Sequence, residues 1–177
     1  MREIVRASAW AGFRELVEEF GGDADDILAA AHVDVAALAN SERYMPLKAL
    51  IDSQAIAAER LGRPDFGLLF GTRQDLAMLG ALYLAIVNSA TARQSIDICA
   101  RYLHIHNPAL TMALAPVPRT TREFLDLHLE IRRPARLEQN AERMLASIHK
   151  ALRQIGGRSY KPYQVWFMHA PLSPLST

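Results

Sequence analysis

One segment of the chain changes its hydrophobic period, and this change limits the possible folds more than any other feature. Residues 125–132 read LDLHLEIR, so that leucine or isoleucine alternates with a polar or charged residue. A period of two is typical of a strand with one buried face. Residues 110–114 (LTMAL) are the predicted antiparallel partner, and residues 116–121 form the connecting loop. The sequence therefore predicts a β-hairpin at this point.

Helical spacing dominates the chain before this hairpin. Apolar residues recur at intervals of three and four in stretches that glycine, proline or capping residues separate. Asp23 and Thr91 are predicted helix caps. Residues 76–90 (LAMLGALYLAIVNSA) are apolar nearly all round, which predicts a helix that is buried on most faces, with Gly80 inside it.

A helical period returns after the hairpin and is followed by a second apolar stretch. One face of the predicted helix carries only apolar side chains: Ala141, Met144, Leu145, Ile148, Leu152 and Ile155. Gly156 and Gly157 end it, and Tyr163–His169 is predicted to be a buried strand. The predicted fold class is α+β, with a helical N-terminal half packed on a small antiparallel β-sheet and one long helix between strands. Residues 1–177 are expected to form a single domain.

Composition excludes several classes of function. The chain has 20 Lys and Arg against 19 Asp and Glu, a net charge of +1, so it lacks the basic excess with which a domain binds DNA or an anionic membrane alone. Its one cysteine, Cys99, excludes an intrachain disulfide framework and indicates a reducing cytoplasm. The longest apolar stretch is too short to span a bilayer. We therefore expect a cytoplasmic domain that does not enter membranes.

No catalytic or cofactor-binding signature is present. The glycines do not form a phosphate-binding loop, no nucleophile elbow occurs, and no pair of cysteines has zinc-ligand spacing. We expect neither enzyme activity nor a bound cofactor.

His104 and His106 are the best candidates for metal ligands. On a strand both imidazoles would face one side, with His128 or His169 as a third ligand, whereas on a helix they would diverge. We favour hydrogen-bonded histidines near the helix–sheet junction over a metal site. A metal-dependent enzyme built on them would also lack a general base or nucleophile.

A second candidate site combines aromatic and imidazole groups from three predicted elements. Tyr102 and His104 lie at a helix end, His128 lies on the alternating strand, and Trp166 lies on the last predicted strand. Such groups both stack and form hydrogen bonds, as pocket-lining residues do. We predict these four residues as ligand-binding, although they can equally belong to an ordinary core and surface.

An ordered set of short motifs resembles the N-terminal regulatory domain of a subset of AraC-type bacterial transcription regulators, the arabinose-binding type. The resemblance covers nearly the whole chain. The block Pro64-Asp65-Phe66-Gly67-Leu68 has the first two residues of the family pattern in the other order, and Pro171 is displaced from the usual position of the last proline. The other matching elements are Tyr44-Met45-Pro46, Leu79-Gly80, Ser89-Ala90-Thr91, Arg101-Tyr102, Glu142, Gly156-Gly157, Pro162, Val165, Phe167 and His169.

This resemblance implies an effector-sensing and oligomerisation domain. In the family a further part of the regulatory domain and a C-terminal helix-turn-helix DNA-binding domain follow, so we expect a truncated regulatory domain that contacts DNA only through the absent domain. The implied partners are a second copy of the chain, as a homodimer, and a small-molecule effector. The apolar character of the candidate lining favours an apolar or aromatic effector. The alternative is a dimerisation module without a ligand.

Overall fold

The computed structural model describes residues 3–132, 136–157 and 159–173. Within these ranges the chain folds into helices and two small antiparallel sheets, which confirms the α+β class. The helices are α1 (Phe13–Glu19), α2 (Ala24–Ala30), α3 (Leu47–Arg60), α4 (Phe66–Arg73), α5 (Ala81–Val87), α6 (Ala92–Tyr102) and α7 (Glu138–Gly156). Short 3₁₀ turns lie at Ala7–Trp10, Val35–Ala39, Leu76–Leu79 and Leu103–Ile105. None of the helices in the described ranges combines the length and apolarity of a membrane span.

The predicted hairpin is present. Strand β3 (Leu110–Pro116) pairs antiparallel with β4 (Glu123–Leu129), and Leu110 lies opposite Leu129. The alternation places Leu125, Leu127 and Leu129 on the more buried face, whereas the polar residues between them are exposed. Because only one face of β4 is covered, its sequence shows the period of two.

The other sheet was not predicted from the sequence. Strand β1 (Ile4–Arg6) pairs with β2 (Tyr44–Pro46), with Val5 opposite Met45. Three residues are too few to show an alternating pattern, so the sequence offers little signal for either strand. This sheet fixes the start of the chain against the entry to α3.

The predicted strand at Tyr163–His169 is wrong, and so is the placement of the long helix between strands. Residues 163–169 form no strand, and α7 leads into irregular backbone in the described residues 159–173. Apolar character alone does not make a strand, because a strand needs a neighbouring edge that supplies hydrogen bonds. Ring contacts hold this segment instead, as where the Arg122 guanidinium lies 3.6 Å from the Tyr163 ring centroid.

The predicted helix over residues 76–90 is interrupted. Gly80 has φ 62° and ψ −130°, a conformation that favours glycine, and it separates the turn Leu76–Leu79 from α5. Leu84 is 61% exposed, so α5 is not buried on most faces as expected. The predicted caps are confirmed, since the Asp23 and Thr91 side chains accept hydrogen bonds from the amides of Asp26 and Gln94.

The N-terminal half contains a dense aromatic core. Phe13 packs edge-on against Phe66 and Phe70, with ring centroids 5.6 and 5.5 Å apart. All three rings are at most 1% exposed. Leu50 and Leu47 from α3 are completely buried in the same cluster.

Two glycines allow α4 to approach α7 closely. A Cβ atom added at Gly67 would lie 2.1 Å from the carbonyl oxygen of Gln139, and one at Gly71 would lie 2.2 Å from that of Arg143. Glycine spaced four residues apart on a helix removes the side chains that would separate two backbones. The close contact places the middle of α7 beside the end of α4, where the candidate site begins.

Candidate functional site

A second hydrophobic cluster, separate from the aromatic core, contains a cavity of about 110 Å³. Its buried members are Leu76, Leu79, Leu82, Ile86, Leu103 and Leu110. The walls of the cavity come from the 3₁₀ turn Leu76–Leu79, from α5 and α6, from the β3–β4 hairpin and from α7. An apolar cavity of about 150 Å³ in a protein interior can hold a molecule as large as benzene. The cavity therefore suits a single ring or a short chain.

Most of the lining is apolar and follows from the periodicity of each element. The hairpin contributes its inward-facing residues, and α7 contributes the apolar face that its helical period displays. Three methionines add flexible, polarisable side chains that adapt to ligands of different shape. The apolar lining consists of Val5, Leu76, Met78, Leu79, Ile86, Ile96, Leu103, Leu110, Met112, Leu125, Met144, Ile148, Ala151, Leu152 and Ile155.

A hydrogen-bonded polar cluster forms one part of the lining. Arg143 Nη1 donates to Gln74 Oε1 at 2.7 Å, and Ser147 Oγ donates to the same oxygen at 3.0 Å. Gln74 in turn donates from Nε2 to the backbone oxygen of Ala9 at 2.7 Å. Arg143 Nη2 donates to Asn140 Oδ1 at 3.0 Å. The cluster thus joins α7, the end of α4 and the N-terminal turn around one buried cation.

Arg143 remains charged although it is buried. Its side chain lies in the interior, and burial lowers the pKa of the guanidinium to about 10. At neutral pH that value still leaves the group protonated. Its Nε has no hydrogen-bond partner within the described part of the chain. One donor of this buried cation is therefore not used by the described residues.

His106 brings a second nitrogen of this kind to the same lining. Only 6% of the residue is exposed, and its Nδ1 lacks a partner among the described residues. Burial, the Arg143 charge and the Arg6 charge lower the pKa of the imidazole to about 4. The ring is neutral at physiological pH and carries one N–H donor and one acceptor nitrogen.

Cys99 lines the cavity as a protonated thiol. Burial raises its pKa to about 11, so the thiolate that would act as a nucleophile or bind a metal is scarce at neutral pH. The residue behaves here as a small apolar side chain.

The four side chains predicted from the sequence lie outside this cavity. Tyr102, His104 and His128 are exposed, and Trp166 is 74% exposed on the irregular segment after α7. His128 lies on the exposed face of β4, because successive side chains of a strand alternate between its two faces. Its cross-strand partner is Thr111 on β3. None of the four lines the cavity, and their role in binding a ligand stays a prediction.

The two candidate chelating histidines point into different environments. His104 is exposed and its Nδ1 lies 3.0 Å from the Arg101 carbonyl oxygen, whereas His106 is buried at the cavity. Both belong to a helical end of α6, where residues two apart diverge. The described residues contain no group of three or more His, Cys, Asp or Glu side chains that could hold a metal ion.

The polar part of the lining was not predicted from the sequence. Arg143 directly precedes Met144 on the apolar face of α7, so its helical position borders that face. Gln74 and Ser147 carry no pattern of their own. The available signal was therefore a cationic residue at the edge of an apolar helix face, together with the small residues Gly67 and Gly71 on a partner helix.

Comparison with known proteins agrees with this architecture. Residues 21–176 match the family described as the arabinose-binding domain of AraC transcription regulator, N-terminal. The chain belongs to this family, which makes it a regulatory sensing domain of a transcription regulator.

Two curated relatives align with nearly the whole chain. The chain is similar to the HTH-type transcriptional regulator VirS of Mycobacterium tuberculosis strains CDC 1551 / Oshkosh and ATCC 25618 / H37Rv. In both cases 27% of 171 aligned residues are identical, covering 96% of this chain and 50% of the relative. The chain thus spans about half the length of the curated relatives it matches.

Proposed function

We propose that this domain senses a small effector in the cavity between α6, the β3–β4 hairpin and α7. The observation that carries the proposal is an apolar cavity of about 110 Å³ with a buried polar cluster in its lining. Such a combination of apolar walls and a few fixed polar groups is typical of ligand sites. The domain performs no chemistry in this proposal.

The effector would act by shifting a conformational equilibrium. A ligand stabilises the arrangement that binds it better, and this bias passes to whatever is attached to the domain. By analogy with relatives named HTH-type regulators, the attached part would be a helix-turn-helix DNA-binding domain, and the regulator would work as a cytoplasmic homodimer. DNA contacts would then come from that second domain.

The polar cluster offers a physical route for this bias. Gln74 connects Arg143 on α7 with the backbone of Ala9, and Asn140 lies 3.4 Å from the Gln54 amide nitrogen on α3. A ligand that moves Arg143 would therefore disturb contacts to both halves of the molecule. Coupling energies from paired substitutions at Gln54 and Arg143 would measure this connection.

Benzene provides a simple test of the cavity. The midpoint of thermal unfolding is measured with and without benzene for the parent chain and for the Ala151→Leu variant, in which a longer side chain occupies the cavity. We expect benzene to raise the midpoint of the parent, since it binds only the folded state, and to leave that of the variant unchanged. An unchanged parent midpoint would contradict the proposal.

A second candidate function is a dimerisation module that needs no ligand. The observation in its favour is the exposure of large apolar side chains after α7, where Tyr163 is 77%, Trp166 74% and Met168 104% exposed. Exposed apolar patches commonly mark interaction surfaces. Sedimentation of the parent and of Trp166→Ser over a range of concentrations would show whether this segment drives self-association.

A further inference from the structure

The buried guanidinium of Arg143 has no acidic partner among the residues that the structure describes. The ion pairs among the described residues involve at least partly exposed side chains, and Arg143 takes part in none of them. Its neighbours are the neutral amide oxygens of Gln74 and Asn140 and the ring of Phe70, whose centroid lies 5.9 Å away. Burial alone accounts for the lowered pKa, with no carboxylate opposing it. No carboxylate in the described part of the chain therefore neutralises this positive charge.

A buried charge without a counter-ion is unusual, because removing an ion from water is energetically costly. Neutral hydrogen bonds and the aromatic ring offset only part of this cost. An anion would offset more of it, and a planar carboxylate matches the fork geometry of the guanidinium. Such a group can accept from the unpartnered Nε of Arg143 and, in the tautomer that carries its proton on Nδ1, from His106.

The acidic residue that lines the cavity does not act as the counter-ion of Arg143. Asp75 also lines the cavity, but it is exposed, and its carboxylate accepts hydrogen bonds from the Ala77 amide at 2.8 Å and from Gln154 Nε2 at 3.4 Å. Arg6, which contributes to the potential at His106, forms an ion pair with Glu42. The potential at the polar part of the lining thus favours an anionic ligand over a cationic one.

We propose that the effector of this domain is a small monocarboxylate with a short apolar body. Its carboxylate pairs with Arg143 and accepts a hydrogen bond from His106, while its body lies among Leu103, Met112 and Met144. The cavity volume of about 110 Å³ suits a body that is a short chain or a single ring. This inference rests on the proposed function and names the chemical class that the same cavity takes.

Matched acids and amides test the proposal. Propionate, butyrate, pentanoate and hexanoate are compared by calorimetry with the corresponding primary amides, which have nearly the same shape but no charge. We expect at least one acid to bind the chain about tenfold more tightly than its amide, which corresponds to about 1.4 kcal/mol. Equal affinity for acid and amide would overturn the inference.

Arg143→Gln removes the charge and keeps a polar side chain. We expect it to bring the affinity of the preferred acid close to that of its amide, while amide binding changes little. The matched control is Arg101→Gln, an exposed arginine on α6 that does not line the cavity. A retained preference for the acid in Arg143→Gln would overturn the proposal.

Arg143→Lys and His106→Gln cover the case in which Arg143→Gln does not fold. The lysine variant keeps the charge without the fork, so it should keep part of the preference, and His106→Gln should reduce it. If both variants retain the full preference for the acid over its amide, Arg143 and His106 do not bind the carboxylate and the proposal is wrong. If benzene and amides bind but no acid is preferred, only the ligand class fails. If neither benzene nor any acid or amide binds, the proposed function fails as well.

Discussion

The two hydrophobic clusters of this domain differ in how completely they are packed. In the N-terminal cluster the interlocking rings of Phe13, Phe66 and Phe70 are at most 1% exposed. In the second cluster Leu76 and Leu110 are each 9% exposed and line a cavity. The first cluster is therefore the one whose interior is filled by the chain's own side chains, whereas the second keeps an unfilled space, in which we propose that a ligand binds.

Both clusters border buried polar atoms without a partner among the described residues, and those of the N-terminal half are Trp10 Nε1 and Gln54 Oε1. The second cluster borders Arg143 and His106, each of which keeps a buried nitrogen without a partner in the described chain. Such groups reduce stability, since a buried donor without an acceptor has lost its hydration. Arg143 and His106 differ from the others in that they line a cavity, where a ligand would supply the missing partners.

The largest expected difference comes from matched leucine truncations. Leu50→Ala, in the dense cluster, should lower the free energy of unfolding by about 4 kcal/mol, because it opens a new cavity in a rigid surrounding. Leu79→Ala, at the existing cavity, should cost about 2 kcal/mol, because that side chain has fewer contacts to lose. Chemical denaturation of both variants measures the difference. Equal costs would mean that the clusters are packed alike.

The opposite substitution should change sign between the clusters. Ala57 is completely buried on α3, so Ala57→Leu should cost about 2 kcal/mol through overpacking. Ala151→Leu instead fills the cavity and should raise the free energy of unfolding by up to about 1 kcal/mol. Urea titrations of the two variants compare these values. A loss in Ala151→Leu similar to that in Ala57→Leu would show that the space is not available to a side chain.

His106 predicts a pH dependence that belongs to the second cluster. Its folded pKa of about 4 lies below its ordinary value of 6.5, so between these values the unfolded chain binds more protons. Stability therefore falls as the pH decreases, by about 1.5 kcal/mol from pH 6.5 to pH 5 through this residue. The charged groups that act on the ring are Arg143 and Arg6.

His106→Gln isolates this effect from the titration of the carboxylates. The free energy of unfolding of the parent and of the variant is measured by denaturation across this pH range. As the pH falls, the parent should lose more stability than the variant. A difference that stays constant with pH would show that His106 titrates normally and is not desolvated at the cavity.

Much of the fold follows from sequence patterns that have a physical cause. Strand β4 was predictable because one covered face and one open face impose alternation, and α7 was predictable because its apolar stripe is continuous. The helix predicted over residues 76–90 is interrupted at Gly80, because an apolar sequence does not show which residue has a positive φ. The strand predicted over residues 163–169 does not form, because β-forming composition does not reveal whether a partner edge exists.

The site was less accessible from the sequence. The apolar walls belong to faces that periodicity displays, but arginine is rarely buried, and a position at the edge of the apolar face of α7 does not by itself mark Arg143 as an interior residue. Its burial depends on the close approach of α4 to α7 at Gly67 and Gly71, which are distant from it in sequence. Tyr102, His104, His128 and Trp166 were selected for chemistry, and their exposure depends on tertiary packing.

The methionine methyl groups test most directly whether the second cluster binds a ligand, because methionines lie in both clusters. Met78, Met112 and Met144 line the cavity, whereas Met45 is 3% exposed in the N-terminal cluster. Carbon-13 methyl spectra are recorded while pentanoate is added to the parent chain. We predict saturable shifts of the three cavity methyl groups and an unchanged Met45 signal. Shifts confined to the exposed Met168, or no saturable shift at the cavity, would contradict the claim that the second cluster is a ligand site.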